Sequence, residues 1–507
     1  MTEKSRRRTG RKPRIAGVIA QPAWNPLYYQ GPPISILNDD QIESIHNTAL
    51  TILEEIGMAV LAPIAREKFA GAGFDVDPHS DRIRFDASQL ESLVSQAPSS
   101  FTLYARNPAK NIKIGDGHAV FCSVGGPAYV MDSDKGRRAG TYVEMCDFLR
   151  LVQSLDILHQ EGGGGFEALD LPAESRHLDL YYAKCTLLDK TWHPWTTGRE
   201  QAMDAIEMAA IMLDKTPEAL IEKPVFSCVI NTNSPLQLDI PMAEGLITMA
   251  EYGQAIIVTP FTLSGAMSPI TLAGALAQQH AEAMMGIALA QIVRPGTPVL
   301  YGGFTSNVDM KTGSPAFGTP EYVQAAQASG QLARHLGLPF RSSNVTATNT
   351  PDAQAAYESS MSLWGAITGQ ANLIMHAAGW LHGGLTASLE KLIIDSEMLQ
   401  MMSAYTRPFE VSTETLALDV IREVGPAGHF FGTAHTMERY ENAFYAPLLS
   451  NWDNYETWLE RGSVDSEQRA NQIWKQLLRE YQQPTIDPAI DEALKDYVAR
   501  RKRQMTA

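Results

Sequence analysis

The chain has 507 residues, 44% of them apolar, with 57 acidic side chains against 41 Lys and Arg for a formal charge of −16. That composition excludes a disordered or collagen-like chain. It also argues against a nucleic-acid surface: neutralising phosphates needs a basic footprint, and the basic residues gather at the two ends, from Arg6 to Arg14 and from Arg500 to Arg503.

Residues 1–35 are basic and then proline-rich (Pro22, Pro26, Pro32, Pro33), which predicts an extended arm. The opening arginines do not form an export signal, because only Ile15 to Ala20 is apolar before Gln21-Pro22. Residues 36–140 read as a helical and β-hairpin cap. Ile42, Ile45, Ala49, Ile52, Leu53 and Ile56 recur at helical spacing, and Phe101 to Met131 alternates between turn signals at Asp116-Gly117 and Gly125-Gly126-Pro127.

Over residues 141–450 short apolar runs alternate with long helical stretches. The runs are 157–160, 192–195, 225–230, 256–259, 299–302, 340–342 and 373–376, and Gly428-His-Phe-Phe431 supplies an eighth. This alternation predicts parallel strands joined by crossover helices, and the spacing predicts an α/β fold, a (βα)8 TIM-type barrel with the N-terminal extension before it and C-terminal helices over 451–507. No run approaches the ~18 apolar residues of a membrane span; Ala283 to Val293, the longest, carries Gln291. Cys122, Cys146, Cys185 and Cys228 are far apart and contain no Cys-x-x-Cys pair, which points away from disulfides and structural zinc and towards a cytoplasmic protein.

A barrel's chemistry sits at the C-terminal ends of its strands. The residues there include Glu161 with Gly162 to Gly165, Trp195, Asn231, Phe304, Arg341, Asn344, His376 and Trp380. This rim is neutral, amide-rich and aromatic, and it lacks the two carboxylates of a glycoside hydrolase, Glu161 being one candidate half. Such a rim suits a cation without acidic protons, since ring faces hold a quaternary ammonium without hydrogen bonds. Arg341 and His376, one strand apart, are placed to pair a carboxylate on the same ligand. His376 with His382, and His429 with His435, have six-residue gaps, so no metal site is expected; Asp352 and Glu358 read as helix N-terminal charges or as site residues.

Several stretches together resemble the trimethylamine methyltransferase family: Asn231-Thr-Asn-Ser-Pro-Leu, Thr259-Pro-Phe, Gly265-Ala-Met-Ser-Pro-Ile-Thr-Leu-Ala-Gly274, Arg294-Pro-Gly-Thr-Pro-Val-Leu-Tyr-Gly302, Thr350-Pro-Asp-Ala-Gln-Ala-Ala-Tyr-Glu358 and Gly425-Pro-Ala-Gly-His-Phe430. The resemblance runs over about residues 40 to 490. It implies a barrel enzyme that passes a methyl group from a methylated amine to the Co(I) of a separate corrinoid protein. The archetype carries pyrrolysine in the loop before Pro-Asp-x-Gln. Here Asn344-Val-Thr-Ala-Thr-Asn349 holds only standard residues, Asn349 being the corresponding position by spacing.

The chain thus resembles the non-pyrrolysine branch, whose substrate class is quaternary amines such as glycine betaine. On that reading Trp195, Phe304 and Trp380 form the ammonium cage, Arg341 or His376 takes the carboxylate, Asn231 and Asn344 orient the substrate, and His376 and Asn349 are the candidate catalytic groups. The cobalamin comes from a cognate corrinoid protein, because the chain lacks the Asp-x-His-x-x-Gly pattern and binds no cofactor tightly; the enzyme is expected to be a homo-oligomer. The competing readings are a trimethylamine-type methyltransferase, a non-catalytic amine-binding barrel, and a hydrolase using Glu161 and His376 as acid and base.

Overall fold

The structure, a computed structural model, describes residues 19–506; the arginine-rich tip from Arg6 to Arg14 lies outside the described residues. Eight parallel strands close into a barrel: β1 (His118–Ser123), β2 (Gln160–Glu161), β3 (Thr191–Trp192), β4 (Ser227–Ile230), β5 (Ala255–Val258), β6 (Val299–Gly302), β7 (Phe340–Ser343) and β8 (Leu373–Ala378). β8 pairs with β1 at Leu373 with Val120, and a parallel bridge from Trp192 to Phe226 joins β3 to β4 and completes the circle.

The helix after each strand packs on the outside: α1 (Tyr142–Ser154), α2 (Arg176–Leu187), α3 (Gly198–Met212), α4 (Ile240–Glu251), α5 (Leu272–Val293), α6 (Pro320–His335), α7 (Ala353–Thr368) and α8 (Leu389–Tyr405). Side chains alternate across each strand, so one parity fills the barrel and the other meets the helices. Val120, Cys122, Ala255, Ile257, Leu300, Leu373 and Met375 form the interior, while Phe121, Ile256, Val258, Tyr301 and Ile374 join the helix-facing core.

Two sequence expectations are corrected. Gly428–Phe431 is not a strand, because it has no neighbour to pair with. The eighth strand is His118–Ser123, inside the expected cap, so the barrel begins before residue 141. The run 192–195 is also a strand only as far as Trp192: Pro194 has no N–H to give a ladder, and the chain turns into the mouth.

The hairpin formed by Ser100–Leu103 and Ile112–Gly115 contributes Leu103, Ile112 and Ile114 to the interior cluster beside the first residues of β1, β5 and β8, so it plugs the N-terminal end of the barrel. The strand Leu27–Tyr28 runs antiparallel to β1 at the same end. Helices Asp39–Thr51 and Ala87–Val94 cover the outer side of α5, which is therefore buried from Ala275 to Gln291. That double cover explains why the longest apolar run has no polar face. Among the described residues no helix is long and apolar enough to cross a membrane.

The C-terminal helices α13 (Ser466–Glu480) and α14 (Pro488–Thr506) pack on α8 and α1 and on α2 and α3, with α9 to α12 being short helices before them (Thr413–Leu416, Leu418–Val424, Ala434–Arg439 and Tyr455–Glu460). α14 is pinned through Asp204 on α3, whose carboxylate accepts from Tyr497 (2.6 Å), Arg501 (2.6 Å) and His177 (2.9 Å). Burial opposes the charge on Asp204, but the hydrogen bonds from His177, Arg501 and Tyr497 outweigh it and hold the carboxyl below its usual range. Its stabilisation is therefore complete above the usual carboxylate range of about 4 and is lost as pH falls through the lower folded value. Asp204→Asn should cost about 3 kcal/mol in urea denaturation near neutral pH, with most of the deficit disappearing in strongly acidic solution.

Candidate active site

A cavity of about 550 Å³ opens at the C-terminal ends of the strands, and β1 to β8 or the turns that follow each of them reach it. Six of the residues singled out from sequence line it: Trp195, Asn231, Phe304, Arg341, His376 and Trp380. The rings form a connected set. Phe304 lies 5.1 Å from Phe261, 5.9 Å from Phe317 and 6.4 Å from Trp380, and Trp380 lies 4.5 Å from the His376 ring. The indole N–H groups are already used, Trp195 donating to Gly163 O (3.1 Å) and Trp380 to Thr346 O (3.2 Å). Both indoles therefore offer carbon surface to a ligand, with no free donor.

Arg341 sits on the inward parity of β7 and is only 2% exposed. Its guanidinium lies 5.1 Å above the Phe304 ring and, among the described residues, has no carboxylate within salt-bridge reach and leaves Nε and Nη1 without partners. Burial pulls its pKa down to about 10, so it is cationic at neutral pH. An uncompensated buried charge is strongly destabilising, and a negatively charged group placed beside it would relieve that cost.

The two histidines beside it stay neutral. His193 Nε2 accepts from Val229 N (3.2 Å), an arrangement that favours the proton on Nδ1, which is buried and without a partner among the described residues. Burial, then the charges of Lys184 and Arg341, push its pKa down to about 3. Burial, then Arg341 and His193, hold His376 well below the usual histidine range. His376 has φ +51° and lies where the β8–β1 register shifts between Ile374 and Ala378. A non-glycine residue there costs of order 1–3 kcal/mol, and the neighbours enforce it: Asn344 donates to Ala377 O (2.9 Å) and Asp395 accepts from Gly379 N (2.9 Å).

Three candidates fall outside the cavity. Glu161 points outward from β2 to the buried Lys184 (2.9 Å) and accepts from Gly163 N (2.7 Å) and Gly164 N, so it holds the glycine turn. The glycines are required by close approach: a Cβ on Gly162 would lie 1.9 Å from Ser123 O. Asn344 faces away from Arg341 by strand parity and braces β8. Asn349 is exposed, with its carbonyl accepting from His382 Nε2 (2.7 Å). Asp352 caps α7, and Glu358 accepts from Ala347 N (2.8 Å) and Thr348 N (3.0 Å), fixing the same loop.

Sequence reasoning placed Phe261 at a strand end without giving it a role, and it missed His193, two residues before Trp195; the proline near each strand end marks where the chain turns inward. Among the described residues no group of three or more His, Cys, Asp or Glu is placed to hold a metal.

Fold and site together define a TIM-barrel enzyme with an aromatic cavity and one uncompensated buried cation. The chain belongs to the trimethylamine methyltransferase family, whose model matches residues 4–506, and it is accordingly a methyltransferase. It is 37% identical over 475 residues to a glycine betaine methyltransferase of Desulfitobacterium hafniense (strain Y51), covering 94% of this chain and 98% of that one. It is 28% identical over 470 residues to a trimethylamine methyltransferase of Desulfitobacterium hafniense (strain DSM 10664 / DCB-2), covering 91% and 92%. The crystal structure of the Methanosarcina barkeri monomethylamine methyltransferase matches with a TM-score of 0.51 at 10% identity, over 90% of this chain and 91% of that one, and shares the barrel fold.

The neutral state of both histidines gives a signed expectation. The unfolded chain takes up protons on His193 below about pH 6.5 while the folded chain does not until about pH 3, so stability falls with acidification across that window. Activity between pH 6 and 8 should show no inflection from His193 or His376, measured as the pH profile of kcat/KM.

Proposed function

We propose that this methyltransferase takes a methyl group from a small quaternary ammonium that also carries a carboxylate, glycine betaine being the compact example, and passes it to the corrinoid of a separate protein. The observation that carries this reading is the buried, unpaired Arg341 within reach of an aromatic cavity whose indole donors are already used. A carboxylate satisfies the guanidinium and the Nδ1–H of His193, while Trp195, Trp380 and Phe261 offer ring carbon to the methylated nitrogen. Phe304 has one face taken by Arg341, so it supports the carboxylate end as much as the ammonium end. The similarity to a protein named glycine betaine methyltransferase points the same way.

A reduced corrinoid supplies the nucleophilic electron pair. The C–N bond breaks with its electrons going to nitrogen, so the leaving group is a neutral tertiary amine and needs no proton. The protein's part is to hold one methyl in line with the open mouth and to exclude water. Neutral His376 and His193 add no positive charge beside the departing nitrogen. The cavity, which every strand helps to line, is of small-molecule size, so the corrin itself belongs at the mouth on its own carrier protein. Four free, buried cysteines fit a reducing cytoplasm.

The hydrolase reading loses support because Glu161 is tied to Lys184 behind the cavity wall and leaves no carboxylate for His376 to work with. A purely binding barrel and a trimethylamine enzyme are separated by assay. Purified protein, reduced cobalamin under anaerobic conditions and a panel of glycine betaine, carnitine, proline betaine, choline and trimethylamine should give the methylated corrin spectrum only with carboxylate-bearing quaternary amines. Methylation from choline or trimethylamine at a comparable rate overturns the assignment. Arg341→Gln should lower kcat/KM by roughly 100-fold or more, chiefly through KM, since removing one partner of a buried charge pair costs about 2–5 kcal/mol. Trp380→Ala should weaken betaine binding by roughly 10-fold in calorimetry, the order of one desolvated cation–π contact.

A further inference from the structure

After α8 the chain carries a long arm whose two ends, Tyr405 and Phe444, lie at the end of the barrel opposite the cavity and whose apolar side chains the other described residues leave uncovered. Of residues 404 to 448 only Thr433 is buried, and α9, α10 and α11 contain no buried residue. Yet this arm is rich in large apolar side chains: Phe409, Phe431 and Phe444 are 84–86% exposed, and Val411, Leu416 and Met437 are exposed as well. Helices this short do not hold in water by themselves, and among the described residues no buried apolar contact repays the entropy of ordering them.

At the arm's root lies a second bare surface. Tyr357, Met361 and Trp364 recur at helical spacing on α7, Met401 and Tyr405 follow on α8, all five are exposed, and Trp364 and Tyr405 meet at 5.8 Å between ring centres. The arm's two ends, at Tyr405 and Phe444, and the Trp364–Tyr405 part of the stripe are remote from the mouth, whereas Tyr357, in the first turns of α7, lies towards it. α8 starts beside Trp380 and runs antiparallel to the strands, so Tyr405 is at the far end, where Thr368 O accepts from Ile34 N and Phe444 and Tyr445 stand against Pro22 to Asn25 in the strap across the barrel bottom.

We infer that this arm is an assembly element: in a two-fold pair, the arm of each copy lies across the α7–α8 aromatic stripe of the other. Three nearly bare phenylalanines alone present roughly 400–600 Å². That already equals the largest apolar patch of a typical monomer, ~300–600 Å². With the stripe the surface reaches the ~800 Å² per partner of a stable interface. A symmetric pair uses both surfaces twice and leaves neither bare. Residues 1–18 are not a sufficient cover, since they offer few apolar residues beyond Ile15 and Val18 among six Lys and Arg from Arg6 to Arg14. The acceptor protein must reach the mouth, a step that rests on the proposed reaction, whereas both ends of the arm, Tyr405 and Phe444, lie at the other end of the barrel.

Sedimentation velocity of the full chain at micromolar concentration tests the inference without needing turnover, so its outcome is independent of the substrate assignment. The wild type should sediment at twice the monomer mass or as a closed assembly of such pairs. Phe409→Asp with Phe431→Asp on the arm, and separately Met401→Asp with Tyr405→Asp on the stripe, should each give a monomer with an unchanged far-UV spectrum and at least half the methyl-transfer rate. These side chains are exposed in the single chain, so charge at them does not disturb its core. A monomeric wild type overturns the inference, as does one that pairs only after residues 1–18 are deleted. Persistence of the assembly in the arm variant, or in the stripe variant, equally overturns the exchanged pairing. Loss of acceptor-protein capture in a variant that remains paired would assign the arm to the acceptor and overturn it too.

Discussion

A guanidinium buried without a counter-charge in the middle of a protein has to be tolerated by everything around it. Arg341 is held on β7 by the parity that carries it inward, and the ring of Phe304 beneath it returns part of the lost hydration. The neighbouring histidines, His193 and His376, stay neutral partly because of this charge. The buried guanidinium therefore carries an electrostatic cost that a carboxylate beside it would remove. A ligand with only a positive charge gains no such relief and is repelled by the same arginine.

The walls that keep this arrangement in place are organised by acidic residues, none of which lines the cavity. Glu161 gathers the amides of Gly163 and Gly164 after β2. Glu282 accepts from Thr232, Ser234 and the amide of Leu236 in the loop after β4. Glu358 binds the amides of Ala347 and Thr348 after β7, and Asp395 binds Gly379 after β8. Each sits on the helix side of its strand, and each fixes one mouth loop by charge-assisted hydrogen bonds. Glu161 and Asp395 have buried lysines, Lys184 and Lys391, while Glu282 and Glu358 have Gln278 and Gln354. This placement explains a rim that is neutral in composition and yet rigid: the negative charge is spent behind the wall, where it shapes backbone without competing for a cationic substrate.

Seven barrel strands were legible because each is an apolar run flanked by turn residues and followed by a helical stretch. β1 was not, because His118 to Ser123 follows the antiparallel hairpin that plugs the barrel and pairs antiparallel with Leu27–Tyr28, so its surroundings read as a meander. Gly428–Phe431 had strand-like composition but belongs to the bare arm. At the site, the rule that chemistry follows the strand ends picked out Arg341, His376 and the aromatic residues, which line the cavity. Glu161 and Asn344 lie outside it because one step along a strand exchanges inside for outside. Gln160 takes the inward place and donates to Ser227 (2.8 Å), leaving Glu161 for Lys184. Asn349 lies outside the cavity for another reason: spacing places it in the right loop, and His382 draws its carbonyl to the exposed outer side.

The two ends of the barrel divide the labour in a way that follows from the fold. The mouth needs loops that are rigid but not covered, since a methyl group must leave through it to a second protein, and buried carboxylates achieve that without adding surface contacts. At the opposite end a hairpin and the N-terminal strap close the barrel, and the outer helices carry exposed apolar side chains. Contacts made there leave the mouth accessible on every copy. An assembly built from that end therefore keeps the substrate cavities independent, and the neutral His376 beside Trp380 meets the same acceptor geometry whether the chain is paired or alone.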